Sequence, residues 1–266
     1  MRSRTSSGLA ALLALLLSWP AGGQQNRIPL INGLQIVAAV NRQDQGDYES
    51  IKDITSISAD GVELGYSADL PNGRQNSGTR RVLRKDLEDA RQYMLTFYSG
   101  NEGVLPGTTS IGTSRAVLQE LRDGGQAKFG CRTMAADGKE HLFQGTLARV
   151  GTELVAVLLN QKPVRVPAIH ARGRLRGGDW WATLFGVDTE FWFLDDPENP
   201  LCLRFRFGSF GQFQVIKIAF PARERAIEND LSTARQTRIY GIHFDFGSDG
   251  IRPQSEAVLR EIAAAL

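Results

Sequence analysis

The feature that most constrains this chain is a period of two. In Leu203-Arg204-Phe205-Arg206-Phe207 the apolar side chains fall on one face of an extended segment and the arginines on the other. Similar β-type runs recur: LQIVAAV, ITSIS and VELGYS, then LFQGTLARV, ELVAVLLN, VRVPAIHARGRL, EFWFL, LCLRFRF and FQVIKIAF. Turn signals punctuate them. Ala59-Asp60-Gly61 separates two runs and marks a hairpin, because Gly61 can supply a positive φ. Asn72-Gly73 marks a second turn within the polar stretch DLPNGRQNSGTRR, and NRQDQGDYES is predicted as a polar loop.

Two helices are predicted among these runs. RKDLEDARQYMLTFY places Leu87, Ala90, Met94, Leu95 and Tyr98 on one stripe. SRAVLQELRDGG offers Thr113 or Ser114 as N-cap and stops at Gly124-Gly125. The expected fold is α+β, mainly β: a β-rich region with two short helices from residue 24 to 221, as one large domain or two small ones. Residues 222–237 (ARERAIENDLSTARQT, running from Ala222) are charged and weakly apolar, and are predicted as a linker or an exposed connecting helix.

Residues 1–23 carry a basic start (MRSRTSS), a short apolar run (GLAALLALLLSW) and small residues Ala21 and Gly23 at the expected cleavage positions. The run falls short of the roughly 20 residues that span a bilayer as a helix. A secretory signal peptide is therefore expected, with a mature chain beginning near Gln24 outside the cytoplasm. No Cys follows the run to take a lipid.

Of 31 basic residues, Arg2 and Arg4 lie in that leader, which leaves 29 against 29 acidic ones. Overall charge thus gives no footprint for nucleic acid or an anionic surface. No internal segment is apolar and long enough to cross a membrane, and uneven strands with intervening helices argue against an outer-membrane barrel.

Chemistry-bearing patterns are few. Cys131 and Cys202 lie in strand-like sequence. Export makes a disulfide between them available, and the alternative is two small buried hydrophobes on separate strands. His141, His170 and His243 are scattered without ligand spacing, so neither a metal nor another cofactor is expected. His170 reads as a strand residue with its ring at a polar edge or in a satisfied core.

LDDPENP gathers Asp195, Asp196 and Glu198 beside prolines, which favours a turn between strands over a catalytic pair. Arg172, Arg174 and Arg176 alternate along one strand face. With Arg80, Arg81, Arg84 and Lys85 they read as solvated basic clusters. The aromatics from Trp180 to Phe220 read as β-core in preference to a sugar platform.

The C-terminal stretch carries Ile239-Tyr240-Gly241-Ile242, then Phe244-Asp245-Phe246-Gly247-Ser248, then Ile251-Arg252-Pro253, Ser255-Glu256 and Val258-Leu259 with Ile262. A strand over residues 238–246 and a helix from Pro253 are expected, since proline suits a first helical turn. This pattern resembles the opening strand and helix of OmpA-like domains, the peptidoglycan-binding modules of bacterial envelope proteins.

The resemblance covers residues 238–266 only, and implies that Phe246 and Gly247 line the family's pocket. Many members have an acidic residue where Gly247 stands. The family's Asp and Arg that grip the diaminopimelate end lie beyond this span, so the chain is expected to be truncated and to bind the wall weakly. The region ahead resembles uncharacterised exported bacterial proteins. The resemblance implies a non-catalytic periplasmic protein, held at the outer membrane or cell wall, with peptidoglycan as partner once that module is complete and a further protein partner unspecified. A secreted enzyme or carbohydrate-binding domain placed at the wall by the module is the alternative.

Overall fold

The computed structural model describes residues 27–43, 45–95, 103–134, 139–177, 180–209, 211–221, 242, 250–251 and 255–265. The predicted leader and linker lie outside the described residues, as does the predicted strand 238–246 apart from Ile242.

The β-rich expectation holds. Strands β1 (Gln35–Arg42), β2 (Gly46–Ile57), β3 (Gly61–Asp69) and β4 (Gln75–Leu83) form an antiparallel meander. Short elements follow: α1 (Arg84–Asp89), β5 (Gln92–Met94), β6 (Gly103–Val104), β7 (Thr108–Thr109) and α2 (Arg115–Asp123). Long strands then dominate: β8 (Gln126–Met134), β9 (Glu140–Leu159), β10 (Lys162–Gly177), and, after α3 (Trp180–Phe185), β11 (Val187–Leu194), β12 (Cys202–Phe207) and β13 (Gly211–Ala219). Helix α4 (Glu256–Ala265) falls within the span predicted as helical from Pro253.

The thirteen strands among the described residues belong to one sheet, in the order β6-β4-β3-β2-β1-β13-β12-β11-β10-β9-β8-β5-β7. The joint is β1, which pairs with its sequence neighbour β2 on one side and with β13 on the other. One part of the sheet closes on itself. β13, β12, β11, β10 and β9 pair in succession, and the far end of β9 returns to β13 through Leu158–Lys217 and Leu159–Ile218. Asn160 secures the closure: its backbone N–H donates to Ile218 O at 2.9 Å, and its Oδ1 accepts from Phe220 N at 2.9 Å. Asn160 and Gln161 have φ of 46° and 65°, the two-residue hairpin geometry that matches strand twist.

Local signals and structure agree at several places. The Ala59-Asp60-Gly61 and Asn72-Gly73 turns join β2 to β3 and β3 to β4. Ser114 caps α2 by accepting from Val117 N, and Gly124 ends that helix. LDDPENP joins β11 to β12 as a turn.

Four expectations are corrected. The helix predicted through Tyr98 ends at Asp89. Gln92–Met94 instead pair in parallel with Gly130–Arg132 of β8, which buries Tyr93 and Met94. A helical stripe and a strand edge both bury these residues, and the edge offered by β8 decides between them. NRQDQGDYES is mostly strand, since β1 runs to Arg42 and β2 opens at Gly46, and most of RQNSGTRR is β4. LFQGTLARV and ELVAVLLN are one strand with a bulge opposite His170/Ala171. The aromatic run begins with a third helix, α3.

The core is aromatic at its centre. Phe129 meets Phe191 edge-on at 5.1 Å and Phe193 at 5.8 Å, while Phe205 stacks on Phe213 at 5.1 Å. These rings come from four strands, the consecutive β11, β12 and β13 and the distant β8.

Candidate functional site

Strand pairing within the closed part aligns one polar row. His170 on β10 stands opposite Trp192 on β11, Trp192 opposite Arg204 on β12, and Arg204 opposite Gln214 on β13. Side chains directly opposite share a face, so register alone assembles the row. Its contacts are close. The His170 and Trp192 rings stack at 4.2 Å and 8°, and the Arg204 guanidinium lies 5.0 Å from the Trp192 ring centre. Arg204 Nη2 donates to Gln214 Oε1 at 3.0 Å.

Glu153 of β9 completes the group. Its Oε2 accepts from Trp192 Nε1 at 2.8 Å, and its Oε1 lies 2.7 Å from His170 Nδ1. The second approach is one of distance alone, because Nδ1 does not meet hydrogen-bond geometry. The Trp192 N–H, followed by the nearby His170, holds the Glu153 carboxyl below its usual value. His170 is buried, and its Nε2 has no hydrogen-bond partner among the described residues; neither does Arg204 Nε. Trp192 is itself only 4% exposed, so its ring offers no open face for a sugar to stack on.

A second polar group sits in the main core. Lys52 of β2 is 5% exposed; its Nζ donates to Ser110 O at 2.9 Å and lies 5.5 Å from the Phe213 ring and 5.8 Å from the Tyr93 ring. Burial lowers its pKa to about 8. Cys202 beside it is pushed by burial up to about 12, and its thiol donates to Arg204 O at 3.5 Å. Burial raises the Cys131 thiol and the Tyr93 phenol as well. A thiol attacks as its thiolate, so these cysteines are inert at neutral pH. Both are free and fully buried, on β8 and β12.

These shifts give a pH dependence. The unfolded chain keeps Lys52 near 10.5, so between about 8 and 10.5 it binds a proton that the folded chain lacks. Stability then rises with pH by up to about 1.4 kcal/mol per unit. Above pH 9 the unfolded chain loses its Cys202 and Cys131 protons while the folded chain keeps them, and together these outweigh the rise. Urea midpoints should therefore climb from pH 8 to 9 and then fall. The climb should vanish in Lys52→Met, and a parent midpoint that does not move between pH 8 and 9 contradicts the assignment.

Other sequence candidates separate. Arg172, Arg174 and Arg176 are exposed, as a solvated strand face should be, and Arg174 pairs with Asp188 at 2.7 Å. Arg80 departs from its cluster: it is buried at 2% exposure, whereas Arg81 is half-buried and Arg84 and Lys85 are exposed. Asp195 accepts from Arg122 of α2 at 2.5 Å across a shallow polar cleft that Arg27 and Leu194 also line. His141 is half-buried on β9 beside Phe143. Phe246, Gly247 and His243 lie outside the described residues. No group of His, Cys, Asp and Glu among the described residues is arranged to hold a metal.

Sequence reasoning missed Glu153, Trp192 and Arg204 as His170's partners. Arg204 alone carried a signal, as the polar member of an alternating run, while Glu153 and Trp192 adjoin near-continuous apolar runs. Comparisons with protein-family models, with curated proteins and with solved structures find no match to this chain.

Proposed function

We propose that this is an exported, non-catalytic cell-envelope protein whose β-rich body is a binding scaffold and whose C-terminal segment opens an OmpA-like peptidoglycan-binding module. The observation that carries it is the run from Ile239 to Ile262, with its aromatic-Asp-aromatic strand end and proline-started helix. Helix α4 supports it. The scaffold half draws support from the core: the buried thiols are protonated, and the His170 ring is packed flat on Trp192 rather than presented to a reacting group. No described helix is long and apolar enough to cross a membrane.

The full-length gene product should co-sediment with isolated peptidoglycan, and a form lacking residues from 231 onward should stay in the supernatant. Equal retention of both forms overturns the proposal.

The Glu153–His170 approach favours a second reading, a secreted enzyme or carbohydrate-binding domain placed at the wall. Under it, Glu153→Gln and His170→Ala would abolish turnover or binding of cell-wall fragments. Under the scaffold reading they alter thermal stability alone.

A further inference from the structure

The turn LDDPENP between β11 and β12 is held from several sides at once. Asp195 N donates to Pro167 O at 2.9 Å, Glu198 N to Asp196 Oδ1 at 3.0 Å, and Asn199 N to Asp196 O at 3.2 Å. Arg122 of α2 donates from Nε to Asp195 Oδ1 at 2.5 Å and from Nη2 to Asp195 O at 2.8 Å. The Asn199 side chain, 2% exposed, donates to Ile28 O at 2.8 Å, and this bond brings Arg27 to the turn from the other end of the domain.

Between these parts lies a cleft of about 180 Å³. Pro167, Leu194 and Pro197 give it an apolar wall, and its charges are Arg27, Arg122, Asp195 and Asp196. Arg122 and Asp195 neutralise each other. The other two are not spent in this way. Arg27 is exposed and makes no hydrogen bond or ion pair among the described residues. Asp196 commits one carboxylate oxygen to Glu198 N and keeps the second open. One cation and one carboxylate oxygen are thus available in a cleft whose frame is already fixed.

We propose that this cleft binds a free amino acid with a short aliphatic side chain. Its carboxylate meets Arg27, its ammonium meets Asp196, and its side chain lies against the prolines and Leu194. Charge selects the class. An anion alone would face Asp195 and Asp196, and a cation alone would face Arg27 and Arg122, whereas a zwitterion satisfies both signs. Size agrees, since drug-sized ligands occupy pockets of about 300–1,000 Å³ and this one is smaller. The hydrogen bonds of the turn hold the Asp196 carboxylate in place beforehand, so little of it must be ordered on binding. The proposal concerns the β-rich body and stands whether or not the C-terminal segment binds peptidoglycan.

Saturation-transfer NMR titrations of the full chain test this with L-leucine, isocaproate and isopentylamine, the last two being leucine without its amine and without its carboxylate. Leucine should bind about tenfold or more tightly than either analogue. Arg27→Gln should reduce leucine to the level of isopentylamine, and Arg27→Lys, which keeps the charge, should restore most of the loss. Asp196→Asn keeps an oxygen for Glu198 N, and should reduce leucine to the level of isocaproate with an unchanged melting curve. No leucine binding up to about 10 mM in the parent overturns the proposal. So does equal affinity for leucine and either analogue, or equal leucine affinity in the parent, Arg27→Gln and Asp196→Asn.

Discussion

Phe191→Ala should destabilise the protein by about 3–5 kcal/mol, the usual range for deleting a buried phenyl ring from a packed core. Phe191 is fully buried and is touched by rings from three other positions. Phe129 meets it edge-on at 5.1 Å, Phe193 stacks at 5.5 Å and Phe205 lies at 6.0 Å. These partners stand on β8, β11 and β12, which are held in register by backbone pairing and cannot collapse inward to fill the void. The cost should therefore sit at the upper end, because unrelieved cavity volume adds to the lost transfer energy. For a domain of this size that corresponds to a fall in Tm of roughly 10–15 °C. Calorimetry or a urea titration measures it. A loss below about 1.5 kcal/mol would mean that the ring cluster is looser than described. Phe191→Leu, which keeps most of the volume, should recover more than half of the loss.

Gly112→Ala is expected to cost about 3 kcal/mol or to prevent folding, although it adds a single methyl group. The added carbon would stand 1.9 Å from Pro200 O and 2.7 Å from Leu201 Cα, both backbone atoms that no side-chain rotation can move aside. The segment is stitched in place on both sides. Gly112 bridges to Leu201, Thr113 N donates to Pro200 O at 3.0 Å, and Cys202 N donates to Ile111 O at 3.2 Å. The Thr109 hydroxyl also donates to Gly112 O at 2.5 Å. Relieving the clash must break several of these bonds at once, in a buried place where water cannot replace them. Gly151 on β9 is the control, since nothing lies within 4 Å of its added carbon. Gly151→Ala should change stability by less than about 0.5 kcal/mol. Equal effects at the two positions would show that crowding at Gly112 is not the cause.

Gly112 also marks where the sequence stops being informative. Nothing near residues 110–114 indicates that Pro200 approaches, because the partner is almost ninety positions away. The same holds for the candidate site. His170 was visible as a histidine in a strand, and Arg204 as the polar member of an alternating run. Their union with Glu153 and Trp192 depends on the registers of β9 to β12, and on the bulges opposite His170/Ala171 and beside Trp192/Phe193 that set which side chains share a face.

Lys52 shows the limit most sharply. Its strand begins in a segment with the composition of a loop. A lysine is normally turned to water, yet Lys52 lies among aromatic rings because Ser110 O and their faces receive its ammonium group.

The sequence by itself determined what is decided over a few residues. Alternation set the strands, Gly61 and Asn72-Gly73 set two turns, and Ser114 with Gly124 set both ends of α2, since each acts on the backbone beside it. Tertiary structure decided whatever depended on a distant partner. It shortened the helix predicted through Tyr98 by offering Gln92–Met94 the edge of β8. It closed β9 onto β13, brought Glu153 to His170, and left Leu154 and Leu158 facing outward. Those outcomes turn on which backbone edge and which face meet across the sheet, and the short-range periodicity of the chain carries no record of them.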